Sequence, residues 1–284
     1  MNAEVRVLFR APAVRVLDFR CREEPQSVSP AEQYPEYEIS FTRTGHFQFR
    51  GEHGLQEIDS RYVMLANAGC ERVVSHGKDV RDECTILQIP RLLLEEAERI
   101  FWRKGILPAR SACFPFPRAA VPVTPLLDLL HRNLLRGAGT STLQQEEITL
   151  RILSGVFRQI YDWQTHEQPL CFDEKLRDQH LETVERAKEY MLANLDQDVS
   201  LRDIARHARV SEFYFSRLFR KLTSLSPYRY LVEARLDQAA ILLKDEKDSV
   251  TEICFASGFR SFPHFVASFT ARHGISPLQY RKGA

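Results

Sequence analysis

Cysteine is sparse in this 284-residue chain. There are six, Cys21, Cys70, Cys84, Cys113, Cys171 and Cys254, and no two are spaced as CxxC. That excludes zinc ribbons and thioredoxin-type redox motifs, and scattered thiols fit a reducing compartment. Long apolar runs are also missing. No stretch of about 18 apolar residues exists to span a bilayer. The first twenty residues, MNAEVRVLFRAPAVRVLDFR, carry charge where a secretory signal would be apolar. A cytoplasmic protein with no membrane partner is expected. Net charge is nearly absent, since 39 Lys and Arg against 38 Asp and Glu leave +1. As an average, that argues against a polyanionic partner. No His-x-His pair occurs, and no Ser/His/Asp set has recognisable spacing. No catalytic residue, metal site or cofactor is therefore expected.

What is present points elsewhere. The length suits about two domains, and a 44% hydrophobic share can fill their cores. Charge is divided by position. From Ser200 onward there are 14 Lys and Arg against 8 Asp and Glu, a net of +6, while residues 1–199 carry 25 and 30, a net of −5. Such asymmetry hints at nucleic-acid binding in the basic part.

Residues 5–20 and 36–90 read as strands. Tyr37, Ile39 and Phe41 alternate with polar residues, as do Phe47 and Phe49, which marks half-buried strands of a small sandwich or barrel. Glu36 and Glu38 are expected to be solvated. Leu92–Ile100, Pro125–Leu135 and residues 142–163 have helical character. In the last, Thr142 is the expected cap, and Ile148, Ile152, Val156, Ile160 and Trp163 form an apolar stripe widened by Leu150, Leu153 and Phe157. Residues 164–178 are polar and aperiodic and contain Pro169, which predicts a linker between a domain over 1–163 and a helical one over 179–284.

The last 85 residues repeat. Leu201, Ile204, Ala205, Ala208 and Val210 match Val250, Ile253, Cys254, Ser257 and Phe259 at an offset of 49. Phe215, Phe219, Ser226, Pro227 and Tyr230 match Phe265, Phe269, Ser276, Pro277 and Tyr280 at an offset of 50. Each copy, at about 200–222 and 249–273, reads as a helix-turn-helix. Ser200, Ser211, Ser249 and Ser261 stand at helix N-caps, small residues pack at the crossing, and Gly258 sits in the second turn. Each Ser-Pro pair starts a further helix, with Pro at its first position.

In this motif the second helix enters the major groove. In the first copy Phe215, Leu218, Phe219 and Leu222 form its buried stripe, leaving Glu212, Phe213, Ser216, Arg217 and Arg220 outward. In the second, Phe265 and Phe269 are buried, and Arg260, Ser261, Phe262, His264, Ala267 and Ser268 remain for contacts. Arg reads guanine edges, Ser several bases, and apolar rings the thymine methyl. Arg220, Lys221, Arg229 and Arg272 suit phosphates.

At Ile253-Cys-Phe-Ala-Ser-Gly-Phe-Arg-Ser-Phe-Pro-His-Phe265, Phe269, Gly274, Ser276-Pro277 and Tyr280-Arg281 the chain resembles the AraC/XylS family of bacterial transcription regulators, over about residues 180–284. The resemblance implies a seven-helix DNA-binding domain with two recognition helices in successive major-groove segments of double-stranded promoter DNA. It also implies an N-terminal domain that often senses a small-molecule effector, frequent homodimerisation and, for an activator, contact with RNA polymerase. Arg209 stands where the first turn commonly has Gly, and Ser224 where the second copy has Gly274. Ala267 replaces a residue that is often basic, with His264 as partial compensation.

The β-rich segment resembles the cupin-like arm domain of the same family, so the expected fold class is α+β with a cupin-like barrel before an all-α double helix-turn-helix. Phe41, Phe47, Phe49, Tyr62 and Met64 either line a ligand cavity or fill the core. His46, His53 and His76 read as structural or exposed. Cys70, His76 and Cys84 are the candidates for a thiol or soft-metal site across strands, set against ordinary burial of small apolar residues. A cupin-type metalloenzyme with an accessory helical domain is the alternative reading.

Overall fold

The computed structural model of the chain describes residues 2–77, 82–103, 116–137, 141–165, 174–245 and 247–283, apart from some side chains within helices. It divides into two compact units, Met1–Pro169 and Leu170–Ala284.

The first unit opens with a hairpin of β1 (Ala3–Ala11) and β2 (Val14–Cys21). Then come β3 (Glu32–Gln33), β4 (Tyr37–Thr44), β5 (His46–Gly51), β6 (Gly54–Asp59), β7 (Tyr62–Ala66), β8 (Glu71–Ser75) and β9 (Glu83–Ile89). A three-residue strand that periodicity did not signal, β10 (Ala120–Pro122), pairs with β7. One antiparallel sheet has the order β1-β2-β9-β4-β7-β10 and the other β3-β8-β5-β6. Phe47, Phe49, Ile58 and Val74 from the smaller sheet share a core with Met64, Ala66 and Cys84 from the larger. Of the candidate cavity residues, Phe47, Phe49 and Met64 are therefore core, and Tyr62 is only half-buried.

Strand β4 corrects the half-buried expectation, because Tyr37 to Thr42 are buried at every position. It lies between β9 and β7, and its other face is covered: Phe41 stacks on His131 with ring centroids 4.3 Å apart. A strand covered on both faces needs partners for its polar residues. Glu38, expected in solvent, is buried. It pairs with Arg72 at 2.9 Å and accepts a 2.8 Å hydrogen bond from Gln88 Nε2. Arg72 in turn lies over the Tyr34 ring.

Among its described residues this unit also holds three helices: α1 (Arg91–Arg103), α2 (Pro125–Arg136) and α3 (Thr142–Thr165). Helix α2 has Pro at its first position and Thr124 as cap, with Thr124 Oγ1 accepting from Leu127 N at 3.3 Å. Helix α3 is capped one residue earlier than Thr142. Ser141 Oγ accepts from Gln144 N at 3.4 Å, and Gln144 Oε1 accepts from Ser141 N at 3.3 Å, a reciprocal capping box. Ile152, Leu153, Val156, Phe157 and Ile160 are buried, but Leu150 is 46% exposed and does not widen the stripe. The Trp163 side chain lies outside the described residues.

The second unit holds seven helices among its described residues: α4 (Glu174–Ala193), α5 (Leu201–His207), α6 (Glu212–Thr223), α7 (Pro227–Asp245), α8 (Val250–Ala256), α9 (Phe262–His273) and α10 (Pro277–Arg281). Helix α3 runs to Thr165 and α4 begins at Glu174, so both ends of the segment 164–178 expected as a linker are helical; residues 166–173 lie outside the described ones.

Repeat symmetry is visible atom by atom. Ser200 with Asp203, and Ser249 with Glu252, form capping boxes at α5 and α8. Their hydrogen bonds hold both carboxyls below the usual range. The turns close identically, with Val210 N to Ala205 O at 3.0 Å and Phe259 N to Cys254 O at 3.1 Å. Phe215–Phe219–Tyr230 in one copy repeats as Phe265–Phe269–Tyr280 in the other, with the Phe–Tyr pair edge-on at 5.5 and 5.3 Å. Ser211 departs from expectation. It stands at the N-cap of α6 but makes no side-chain capping bond.

Both turns require a left-handed residue. Arg209 adopts it at φ +61° and Gly258 at φ +87°. A non-glycine residue there costs about 1–2 kcal/mol. The positions differ in space as well, since a Cβ on Gly258 would lie 1.8 Å from the Leu195 carbonyl oxygen. Arg209→Gly should stabilise the second unit by about 1 kcal/mol in urea unfolding, whereas Gly258→Ala should destabilise it by more than the conformational cost alone. Equal and small effects would show that the two turns are equivalent.

The buried His131 sets a second expectation. Burial, aided by Arg132 and Arg43, pushes it from 6.5 down to about 3. As pH falls below 6.5 the unfolded chain takes up this proton before the folded one. Stability is therefore lost between about pH 6.5 and 3, at up to about 1.4 kcal/mol per pH unit. His131→Leu should flatten the pH dependence of unfolding in that window. An unchanged slope would mean that His131 carries a proton in the folded state.

Candidate nucleic-acid interface

Helices α6 and α9 are the second helices of the two copies, and their buried faces hold them in place. Phe215, Leu218, Phe219 and Leu222 are all at most 3% exposed, and Phe265 and Phe269 are fully buried. The opposite face of α6 is open. Glu212, Phe213, Arg217, Arg220 and Lys221 are exposed, and Ser216 is half-buried. Phe213 is 76% exposed, which no core role requires. The Arg217 guanidinium lies 5.7 Å from its ring centroid. Such a cation–ring contact restrains the guanidinium without consuming its hydrogen-bond donors. Arg229 is exposed on the first turn of α7, in a loose 3.8 Å pair with Glu233.

The second copy presents a different surface. Arg260, Ser261, Phe262, His264 and Ala267 are exposed, and Ser268 is half-buried. Ser261 Oγ accepts from His264 N at 3.4 Å, which leaves its hydroxyl hydrogen available. His264 packs 5.7 Å from the Phe259 ring. Arg260 Nη2 donates to Asp196 O at 3.4 Å.

Arg272 does not join this surface. Its Nη1 lies 2.6 Å from Glu233 Oε2 and donates to Glu233 O at 2.8 Å, and its Nη2 lies 2.6 Å from Asp237 Oδ1. The guanidinium pairs with a buried carboxylate on α7, an engagement that competes with the phosphate role expected for it. The repeat carried the signal: at an offset of 50, Arg272 corresponds to Leu222, a core position. Ser268 likewise corresponds to buried Leu218, which explains its partial burial. Arg217 and Lys221 correspond to Ala267 and Ala271. The two second helices are thus electrostatically unequal, with the cations concentrated on α6.

Two exposed aromatic residues were missed by sequence reasoning. Tyr228, 66% exposed, sits beside Arg229 at the start of α7, and Tyr214 is 42% exposed with its hydroxyl 2.7 Å from His180 Nε2. Both precede or interrupt apolar runs, so pattern alone assigned them no face.

Comparison with known proteins follows this geometry. A helix-turn-helix domain family matches residues 204–283. An HTH-type transcriptional regulator of Haemophilus influenzae is 31% identical over 162 residues, covering 57% of this chain and 52% of that protein. The melibiose operon regulatory protein of Escherichia coli is 31% identical over 93 residues, 33% of this chain and 31% of its own length. The chain thus spans about half or less of these curated relatives. A crystal structure of a transcriptional regulator with an AraC-type DNA-binding domain, from Chromobacterium violaceum, is 31% identical, covers 37% of this chain and 94% of its own, and superposes with a TM-score of 0.35.

The geometry separates three arginine and lysine roles. Arg217→Ala should relax discrimination at one base position by about 1–3 kcal/mol. Lys221→Ala should weaken all duplexes alike and reduce the salt slope of binding by about one. Arg272→Ala should leave that slope unchanged and lower stability by about 1–3 kcal/mol, because a buried carboxylate loses its partner. A reduced salt slope in the Arg272 variant would return it to the phosphate-binding set.

Proposed function

The chain belongs to the AraC/XylS family through its helix-turn-helix region, residues 204–283, and we propose that it is a sequence-specific regulator of transcription that binds duplex promoter DNA. The observation that carries this reading is the exposed face of α6. There Phe213, Arg217, Arg220 and Lys221 stand outward on a helix whose other face is fully packed. In this reading Arg217 and Ser216 read base edges, Phe213 meets a thymine methyl group, and Arg220, Lys221 and Arg229 hold phosphates. Helix α9 contributes fewer charges, reading through Phe262, His264 and the Ser261 hydroxyl. Arg260 flanks it.

The N-terminal unit would modulate this binding, either by responding to a small molecule or by pairing two copies. Two antiparallel sheets around a shared core support a cupin-like assignment for it. Activation is the commoner mode in the family, which makes RNA polymerase the expected protein partner. The metalloenzyme alternative gains no support from the regulators that the chain matches. Among the described residues no helix is long and apolar enough to cross a membrane.

Selection from randomised duplexes at several salt concentrations tests the reading. An enriched sequence motif is expected, together with affinity that falls linearly on logarithmic axes as salt rises. Absence of enrichment, or affinity indifferent to salt, would reject it.

A further inference from the structure

Three chain segments of the N-terminal unit converge on one buried point. Cys21 closes β2, His76 follows β8, and Asp82 and Cys84 lie at the start of the β9 segment. Cys21 Sγ is 3.4 Å from His76 Nε2, and His76 Nε2 is 2.8 Å from Asp82 Oδ1. One ligand-capable atom from each of these three residues lies within 4.8 Å of the others, and all three residues are buried. Cys84 Sγ approaches the second oxygen, Asp82 Oδ2, at 3.6 Å and is itself 3% exposed. Of the trio named from sequence, His76 belongs to this cluster and Cys84 lies beside it, against Asp82. Cys70 does neither; its Sγ contacts Glu52 Oε2 at 3.1 Å elsewhere, and Cys21 takes the place it was expected to fill.

Several chemistries can be weighed against this geometry. A nucleophilic Cys-His-Asp triad uses opposite ring nitrogens, one toward the nucleophile and one toward the carboxylate. Here Cys21 and Asp82 share Nε2, so a relay is excluded. A purely structural cluster is the plainest alternative, and what sets this one apart is that a thiol sulfur, an imidazole nitrogen and a carboxylate oxygen, all on buried residues, converge on one point. A metal ion fits better. Zinc bonds of about 2.3 Å to sulfur and about 2.0 Å to nitrogen, at tetrahedral angles, imply a sulfur–nitrogen edge of about 3.5 Å, close to the 3.4 Å found; the nitrogen–oxygen edge of about 3.3 Å requires Asp82 Oδ1 to move back from its 2.8 Å hydrogen-bond position. A thiol, an imidazole and a carboxylate are a donor set for zinc-class ions and a poor one for magnesium or calcium.

We propose that the N-terminal unit binds one thiophilic divalent cation of the zinc class through Cys21 Sγ, His76 Nε2 and an Asp82 carboxylate oxygen, with the fourth position taken by water or an added ligand. The site joins the two sheets. Cys21 ends β2 and Asp82 directly precedes β9, neighbouring strands of the six-stranded sheet, and His76 directly follows a strand of the four-stranded one. An ion there ties the sheets together at the point where the segment 26–29 also crosses, through Gln26 N to Gly77 O and His76 N to Ser27 O, both 3.0 Å. Metal occupancy is thereby a means of stiffening this unit. The site stands apart from the DNA-binding reading, because metal uptake is scored with no duplex present.

The test uses the full chain, stripped with a chelator under reducing conditions and titrated with Co²⁺. One equivalent is expected to produce tetrahedral visible bands and a thiolate-to-cobalt charge-transfer band, both displaced by Zn²⁺. Cys70→Ser should leave the titration unchanged. Cys21→Ser should remove the charge-transfer band and cut affinity at least about tenfold. Should Cys21→Ser fail to fold, His76→Gln and Asp82→Asn keep the sulfur and are expected to show the same loss of affinity. No band at one equivalent would overturn the proposal. So would a charge-transfer band that survives in Cys21→Ser, or an affinity unchanged in both His76→Gln and Asp82→Asn.

Discussion

The carbonyl oxygen of Leu195 accepts a 2.9 Å hydrogen bond from Arg235 Nε on α7, and Gly258 in the second turn packs directly against it. Arg235 Nη2 reaches on to Gln197 O at 2.7 Å. The segment leaving α4 is thereby fixed at once to the long helix between the two copies and to the turn of the second copy. No side chain fits between the Leu195 carbonyl and position 258, so the turn must be glycine and the approach must be backbone to backbone. Helix α7 joins both copies, with Tyr230 against Phe219 of the first and Leu236, Ala239 and Leu243 in the core of the second, and the Leu195 contact braces the second turn against the segment leaving α4. A pair of recognition helices is useful on DNA only if their relative orientation is set before binding, since ordering it on the duplex costs affinity.

Within that frame the two copies have diverged in a way that follows from position. Arg209 adopts the left-handed conformation in the first turn with its side chain exposed, whereas the Leu195 carbonyl leaves no room for a Cβ at Gly258. The second copy replaces the core residue Leu222 by Arg272, and the buried Asp237 with Glu233 on α7 supplies the charge that makes an arginine acceptable there. The cost is carried on the outer face. Helix α9 lacks the cations that α6 carries at Arg217 and Lys221, so in the proposed reading the first copy would dominate attraction to phosphate and the second would add mainly shape and apolar contact. Net charge describes this poorly. A value of +1 averages a basic C-terminal region with an acidic remainder, and the acidic part would avoid the same polyanion that the basic part holds.

Much of the C-terminal unit was legible because it repeats. Matched Phe, Ser-Pro and Tyr positions at a constant offset disclose equivalent environments, and the structure returns equivalent ring pairs and turn bonds at those residues. The same offset also held the correct reading of Arg272, which charge alone obscured. The N-terminal unit was less legible for a physical reason. Alternation reports one dry face and one wet face, and β4 has two dry ones, so Glu38 looked solvated while being buried. Residues meeting through pairing of β2 with β9 and through the end of β8 carry no spacing signal, so Cys21 and Asp82 were not associated with His76. Ser141 was passed over for Thr142 because two adjacent hydroxyl residues offer the same cap, and only Gln144 three residues later distinguishes them.

The central claim is that two helices, α6 and α9, held in fixed relation by the Leu195–Gly258–Arg235 contact, meet DNA together and unequally. Missing-contact footprinting of the full chain on its selected duplex tests it at base resolution. The account predicts two clusters of sensitive bases about one helical turn apart. Loss of phosphate contacts should weigh more heavily at the cluster read by α6, and only that cluster should change when Arg217 is replaced. A single cluster, or two clusters that both change with Arg217, would contradict it.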